Sequence, residues 1–247
     1  MTRAMNPGAK NWERIAEREP YFGVLTDERF LRERMSDGAL REFFASGEGD
    51  VERLFALARR VAGEDFAPHR ALDFGCGVGR LTQALARRCE EAVGVDVSPR
   101  MLELARSHAA TRPNITFTDA VPDATFDFVI SLIVFQHIEV ARGMSILREV
   151  LARVAPGGVV ALQFTLRRPG GVMRRAARRL RANVPLVHAI AQVVAGERMR
   201  LPYMEMNEYD ERAIVDAMHA AGFGEPLREA TNHGGVAGAI FVARKSA

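Results

Sequence analysis

Cysteine is scarce in this 247-residue chain: there are two, Cys76 and Cys89. Two thiols cannot make a disulfide framework. No Cys, His and Asp set has metal-ligand spacing either, so no metal is expected, and a reducing, cytoplasmic setting is. A strong charge bias is missing as well. The net charge of +3 is too small to argue for nucleic acid, and no nucleic-acid partner is expected. Long apolar runs are absent: the longest uncharged helical stretch, 182–196, falls short of the ~20 residues that a spanning helix needs. The opening "MTRAMNPGAKNWERIAEREP" lacks the apolar core of a signal peptide. What remains is a chain that is 48% hydrophobic and 26% charged, the composition of a soluble globular enzyme with one large domain or a domain with an appendage.

From about residue 50, short apolar runs alternate with helical patterns. The sequence predicts strands at 70–74, 91–96, 114–118, 126–135 and 157–164, and helices at 51–62, 79–88, 98–109 and 141–155. Ser98 followed by Pro99 is a strong helix start, and Pro156 with the Gly157–Gly158 pair reads as the stop of the 141–155 helix. After a helix at 210–223 closed by Gly222, strands at 224–230 and 234–245 flank the loop "TNHGG". Strand–helix alternation implies right-handed crossovers. The expected fold is therefore α/β and doubly wound, with a seven-stranded, mostly parallel sheet and one antiparallel strand from the terminal hairpin.

The stretch "ALDFGCGVGRLTQALA", 71–86, sets Gly75, Gly77 and Gly79 at alternate positions between the first strand and its helix. In an open parallel sheet, ligands bind beyond the carboxyl ends of the strands. Glycine permits positive φ there and lets a ligand lie against bare backbone. Asp96 ends the next strand about 20 residues on, where a carboxylate accepts hydrogen bonds from both hydroxyls of a ribose. The spacing is D-x-G-x-G-x-G from Asp73 to Gly79, and Arg80 stands where a dinucleotide fingerprint would place its last glycine.

With "VGVDVSPRMLELAR" after it, this pattern resembles the class I S-adenosylmethionine-dependent methyltransferases, over roughly residues 50–165 and more loosely the terminal helix and hairpin. The resemblance implies the cofactor S-adenosyl-L-methionine. It implies that Asp73, Gly75, Gly77 and Gly79 line the amino-acid end, that Asp96 binds the ribose, and that Val97 and Met101 lie near the adenine. It also implies an acid after the third strand on the adenine amino group, either Asp119 or, because "TDAVPDAT" is short, Asp123. Ser131, Gln136 and His137 of "SLIVFQHIEV" would surround the strand end that faces the reacting methyl group.

The sulfonium activates its own methyl group, so a protein's task is to align the acceptor and exclude water. His137 is the best-placed base for a hydroxyl acceptor, its alternative role being a helix cap or a backbone contact. That histidine, and the lack of an "NPPY" or "DPPY" stretch, favour oxygen over nitrogen as the atom methylated. A nicotinamide-dependent oxidoreductase is the competing enzyme class, disfavoured by the Gly79–Arg80 spacing, and a non-catalytic cofactor-binding subunit is the third reading.

Four regions are expected. Residues 1–49 form a helical lid, whose aromatics Trp12, Tyr21, Phe22 and Phe30, Tyr21 and Phe22 foremost, either close over the cofactor or pack on neighbouring helices. Residues 50–166 form the cofactor core, and 207–247 complete its sheet. Residues 167–206 form a helical cap insertion with nine arginines against two glutamates, its helices at 172–181 and 184–194. Its basic face suits a small-molecule or glycan acceptor, an anionic one included, or a membrane surface, or is simply solvated.

Overall fold

The computed structural model describes residues 7–167, 204, 206–233 and 235–247. Seven strands form one sheet: β1 (Arg70–Phe74), β2 (Glu91–Val95), β3 (Ile115–Thr118), β4 (Phe126–Ser131), β5 (Val154–Arg167), β6 (Leu227–His233) and β7 (Val236–Arg244). Their spatial order is β3-β2-β1-β4-β5-β7-β6, and β7 is antiparallel to both neighbours while the other neighbouring pairs are parallel. Chain order reverses between β1 and β4, which opens the crevice where such sheets take ligands.

Seven α-helices accompany the sheet among the described residues: α1 (Pro7–Arg18), α2 (Pro20–Val24), α3 (Asp37–Ala62), α4 (Arg80–Leu85), α5 (Pro99–His108), α6 (Val140–Ala152) and α7 (Glu211–Ala220). Both sheet faces are buried, so the central strands read as continuous apolar runs. Alternate side chains go to opposite cores. Leu72, Val129, Val160 and Leu162 pack toward α6 and α7, while Ala71, Phe128, Ile130 and Val159 pack toward α3 and α4.

Several local expectations shift. The strand expected over 126–135 stops at Ser131, because Ile133 takes φ 61 and turns the chain into a 3-10 turn at Phe135–His137. The helix expected over 141–155 ends at Ala152, and β5 begins at Val154, ahead of the proline and glycines. Tertiary contacts place that stop: Lys245 Nζ donates to the carbonyl oxygens of Leu151 (3.4 Å) and Val154 (2.9 Å). The Pro156–Gly158 segment becomes an irregularity in β5, whose pairing with β4 jumps from Phe126–Val154 to Phe128–Val159.

The helix expected over 79–88 is the shorter α4, and most of the "TNHGG" loop joins the hairpin, with Thr231 opposite Gly238 and His233 opposite Val236. The boundary expected between 49 and 50 falls inside α3, one helix of 26 residues. The helices expected at 172–181 and 184–194 lie outside the described residues. Among the described residues no helix is long and apolar enough to cross a membrane.

Candidate functional site

A cavity of about 380 Å³ opens at the carboxyl ends of β1, β2 and β4. Its floor is the glycine loop. Gly75, Gly77 and Gly79 have φ of 81, 52 and 82, values that side chains rarely tolerate. Gly75 and Cys76 both donate their N–H to the Val95 carbonyl oxygen (2.8 and 2.9 Å), which hooks the loop onto the end of β2. The three glycines serve different neighbours. A Cβ on Gly75 would run into Val134, one on Gly77 would come 2.8 Å from Val24 of α2, and one on Gly79 would meet Phe117 at 3.0 Å. Gly75 and Gly77 line the cavity, whereas Gly79 turns away from it into the packing between α5 and β3.

Asp96 joins the loop to α5. One carboxylate oxygen accepts from Gly77 N–H and the other from Ser98 N–H, both at 2.9 Å. Burial raises this carboxyl above its ordinary value, against the backbone N–H groups of Ser98, Gly77 and Val97 that hold it down. Each oxygen keeps lone-pair capacity for a ligand. Ser98 caps α5 by accepting from Met101 N–H at 3.1 Å, as its position before Pro99 predicts. Exposed Val97 and buried Met101 complete this wall of the cavity.

Other residues singled out in the sequence sit differently. Asp73 is buried beneath the loop, where it accepts from Thr82 Oγ1 at 2.7 Å, and burial pushes its carboxyl up to about 6. It does not line the cavity. Asp119 is exposed beyond β3 and outside the lining, and Asp123 is paired with Arg153. Ser131 is buried and donates to the Phe74 carbonyl oxygen at 2.8 Å, tying the ends of β4 and β1 together. Gln136 is buried behind the wall: it accepts from Thr165 Oγ1 at 2.9 Å, and its amide lies 3.2 Å from His137 Nε2. His137 itself lines the cavity. Both cysteine thiols are buried and pushed up, Cys89 to about 12, so neither is a nucleophile at neutral pH.

The roof comes from the N-terminal helices, through Trp12 rather than the favoured Tyr21 and Phe22, and through small residues not singled out in the sequence. Gly8, Ala9 and Trp12 of α1 and Gly23 and Val24 of α2 face the cavity. Their spacing along α1 puts three small or aromatic positions on one helical face, a signal that sequence alone does carry. Tyr21 and Phe22 are not in the lining; Tyr21 packs instead on its neighbouring helices, edge-on to buried Phe43 and with its hydroxyl 2.7 Å from His108 Nε2. Trp12 meets His137 edge-on with ring centroids 4.9 Å apart. Its neighbour Glu13 grips the opposite wall, accepting from Ser98 Oγ at 2.5 Å and from Arg100 N–H at 3.2 Å. Consecutive residues of α1 thus span the cavity. Glu13→Ala should cost about 1–2 kcal/mol and speed tryptic cleavage within α1. Unchanged cleavage kinetics would show that α1 is held by other contacts.

Ile133 also lines the cavity, and its left-handed backbone is an uncommon state for a β-branched residue. Strain of this kind concentrates where a chain is shaped for a ligand. No sequence pattern announces it, since nothing in "SLIVF" favours positive φ. Among the described residues no cluster of three or more His, Cys, Asp or Glu is placed to hold a metal ion.

Comparison with known proteins agrees with this geometry. A family model described as a methyltransferase domain matches residues 71–158. The chain is 34% identical over 102 residues to a ribosomal protein L11 methyltransferase of Burkholderia vietnamiensis, covering 39% of this chain and 32% of that protein. It is 34% identical over 133 residues to a ubiquinone biosynthesis O-methyltransferase of Ruegeria pomeroyi, covering 47% of this chain and 53% of that one. The matches therefore span about a third to a half of those relatives. In fold, the chain is similar to magnesium protoporphyrin IX methyltransferase from Synechocystis PCC 6803, crystallised with bound SAM (TM-score 0.59, 17% identity, 99% and 100% of the two chains). It is also similar to the N-methyltransferase NodS from Bradyrhizobium japonicum WM9 in complex with S-adenosyl-L-homocysteine (TM-score 0.56, 15% identity, 95% and 98%). Over residues 71–158, then, the chain is similar to a methyltransferase domain, and its fold is that of the methyltransferases crystallised with SAM and S-adenosyl-L-homocysteine.

Proposed function

We propose that this protein transfers a methyl group from S-adenosyl-L-methionine to an oxygen, or less readily a nitrogen, of a small-molecule or sugar-containing acceptor. The observation that carries the reading is the Asp96 carboxylate, held by Gly77 N–H and Ser98 N–H at the rim of the cavity with lone pairs to spare. That arrangement suits the two hydroxyls of a ribose. Val97 and Met101 offer an apolar seat for a flat base, and the bare backbone of Gly75 and Gly77 admits an amino-acid tail. When bound, S-adenosyl-L-methionine supplies a methyl group already activated by a positive sulfur. The protein's share is orientation and dryness. Trp12 and Val24 roof the cavity against water, and Ile133 and Val134 form the wall beside the end of β4. His137 lines the same wall and is the group suited to take the proton of a hydroxyl acceptor as it is methylated.

Titration calorimetry with S-adenosylhomocysteine and with NADH separates this reading from a nicotinamide-dependent oxidoreductase. The wild type should bind the former and not the latter. Asp96→Ala should weaken that binding by about 1–3 kcal/mol, through lost hydrogen bonds to a charged group. Unchanged affinity in Asp96→Ala, or preference for NADH, would remove the assignment. Methyl transfer to any member of an acceptor panel would in turn exclude a purely binding subunit.

A further inference from the structure

We infer that Arg142 binds the acceptor, and that the acceptor carries an oxyanion, a carboxylate or a phosphate, on an otherwise apolar body. This deepens the proposed methyl transfer and rests on that reading. Arg142 lies in the first turn of α6 and lines the cavity, where Trp12, Ile138 and Ile146 supply an apolar surface. Its side chain makes no hydrogen bond or ion pair among the described residues, unlike Arg29, Arg34, Arg70, Arg80, Arg88 and Arg153, each of which sits on a carboxylate.

The acids nearby are otherwise occupied. Glu139 spends both oxygens on α6, accepting from Ala141 N–H and Arg142 N–H at 3.1 Å each. Asp96 is held at the glycine loop and the start of α5, and its remaining lone pairs are the ones assigned to the ribose. The first turn of a helix is also where the backbone dipole disfavours a cation, so an arginine there gains nothing from the helix it belongs to.

The support beneath it is firm. Gly143, the next residue, lies directly under Tyr209, where a Cβ would run into the phenol oxygen. That phenol donates to the Ile138 carbonyl oxygen at 3.0 Å. The backbone on either side of Arg142 is therefore pinned while the guanidinium remains available, the combination that suits recognition of a planar oxyanion by a forked donor. A neutral acceptor would leave that fork unused.

The test uses protein already saturated with S-adenosylhomocysteine, so that failure of the cofactor assignment shows first, as no binding of that nucleoside. Benzoate, phenyl phosphate and benzyl alcohol are then titrated to millimolar concentration and followed on Trp12, the single tryptophan of the chain. Saturable binding of benzoate or phenyl phosphate is expected, weakened about tenfold or more in Arg142→Gln and retained in part by Arg142→Lys. The tighter of the two probes identifies the anion as carboxylate or phosphate. Benzyl alcohol should not distinguish the variants. If neither anion binds, if Arg142→Gln binds both as well as wild type does, or if the substitution weakens only S-adenosylhomocysteine, the inference is overturned.

Discussion

Asp50→Ala is expected to destabilise the protein by about 3 kcal/mol, because it strands a buried guanidinium. The Arg80 side chain is 4% exposed and pairs with Asp50 at 2.6 Å, the carboxylate being 40% exposed. Arg80 Nη1 also donates to Ser46 Oγ at 3.0 Å, while its Nε is buried without a partner. Loss of the carboxylate would leave the guanidinium with the Ser46 hydroxyl as its side-chain hydrogen-bond partner and the more distant Asp73 to offset its charge. The consequence reaches the cavity, since Arg80 follows Gly79 directly and its backbone presses on Gly47 of α3, where a Cβ would lie 2.6 Å from the Arg80 carbonyl oxygen. Chemical denaturation measures the loss, and binding of S-adenosylhomocysteine by the folded fraction shows whether the loop has shifted. A midpoint within about 0.5 kcal/mol of wild type, the range of ordinary surface substitutions, would mean that water reaches Arg80 once Asp50 is gone.

Asp73→Asn should act in the opposite direction and depend on pH. Burial holds the Asp73 carboxyl at about 6 in the folded chain against an ordinary 3.8. Between those values the folded protein keeps a proton that the unfolded chain has released. Stability therefore falls as pH rises through this window, and at neutral pH a buried charge weighs against the fold. An asparagine accepts the same hydrogen bond from Thr82 Oγ1 without the charge. The variant should match wild type near pH 4 and exceed it above pH 6 by on the order of 2 kcal/mol. Parallel stability curves across this range would show that Asp73 does not titrate there. Its affinity for S-adenosylhomocysteine should stay at the wild-type level, since Asp73 supports the loop from below and does not line the cavity.

The two variants also separate what the glycine pattern means in sequence from what it means in space. D-x-G-x-G-x-G reads as one ligand-binding stretch, yet its members divide. Gly75 and Gly77 face the cavity, whereas Gly79 packs on Phe117 and Asp73 is held by Thr82. Asp119 shows the reverse difficulty. A carboxylate at the end of a strand is easily seen in a sequence, but its reach depends on how a short connection bends, and this one leaves it exposed and away from the lining. Trp12 was one of several N-terminal aromatics that suit a lid, with nothing to set it above Tyr21 and Phe22, while Glu13 and Arg142 were not singled out at all. Each matters through a partner or a surface 80 or more residues away, or through an empty volume that no local pattern describes.

The amino-acid sequence by itself determined the strand–helix alternation, the Ser98 cap, the glycine loop with its acid at Asp96, and the antiparallel hairpin. These depend on interactions within a few residues or on the period of apolar positions, both of which are written along the chain. The tertiary structure alone decided where β4 and α6 stop, which face of the N-terminal helices roofs the cavity, and which charges lack partners. Those outcomes follow from contacts between distant segments: Lys245 on the end of α6, Glu13 on the start of α5, Tyr209 over Gly143. A linear pattern holds no record of such meetings, because their energy exists only once the chain has closed on itself.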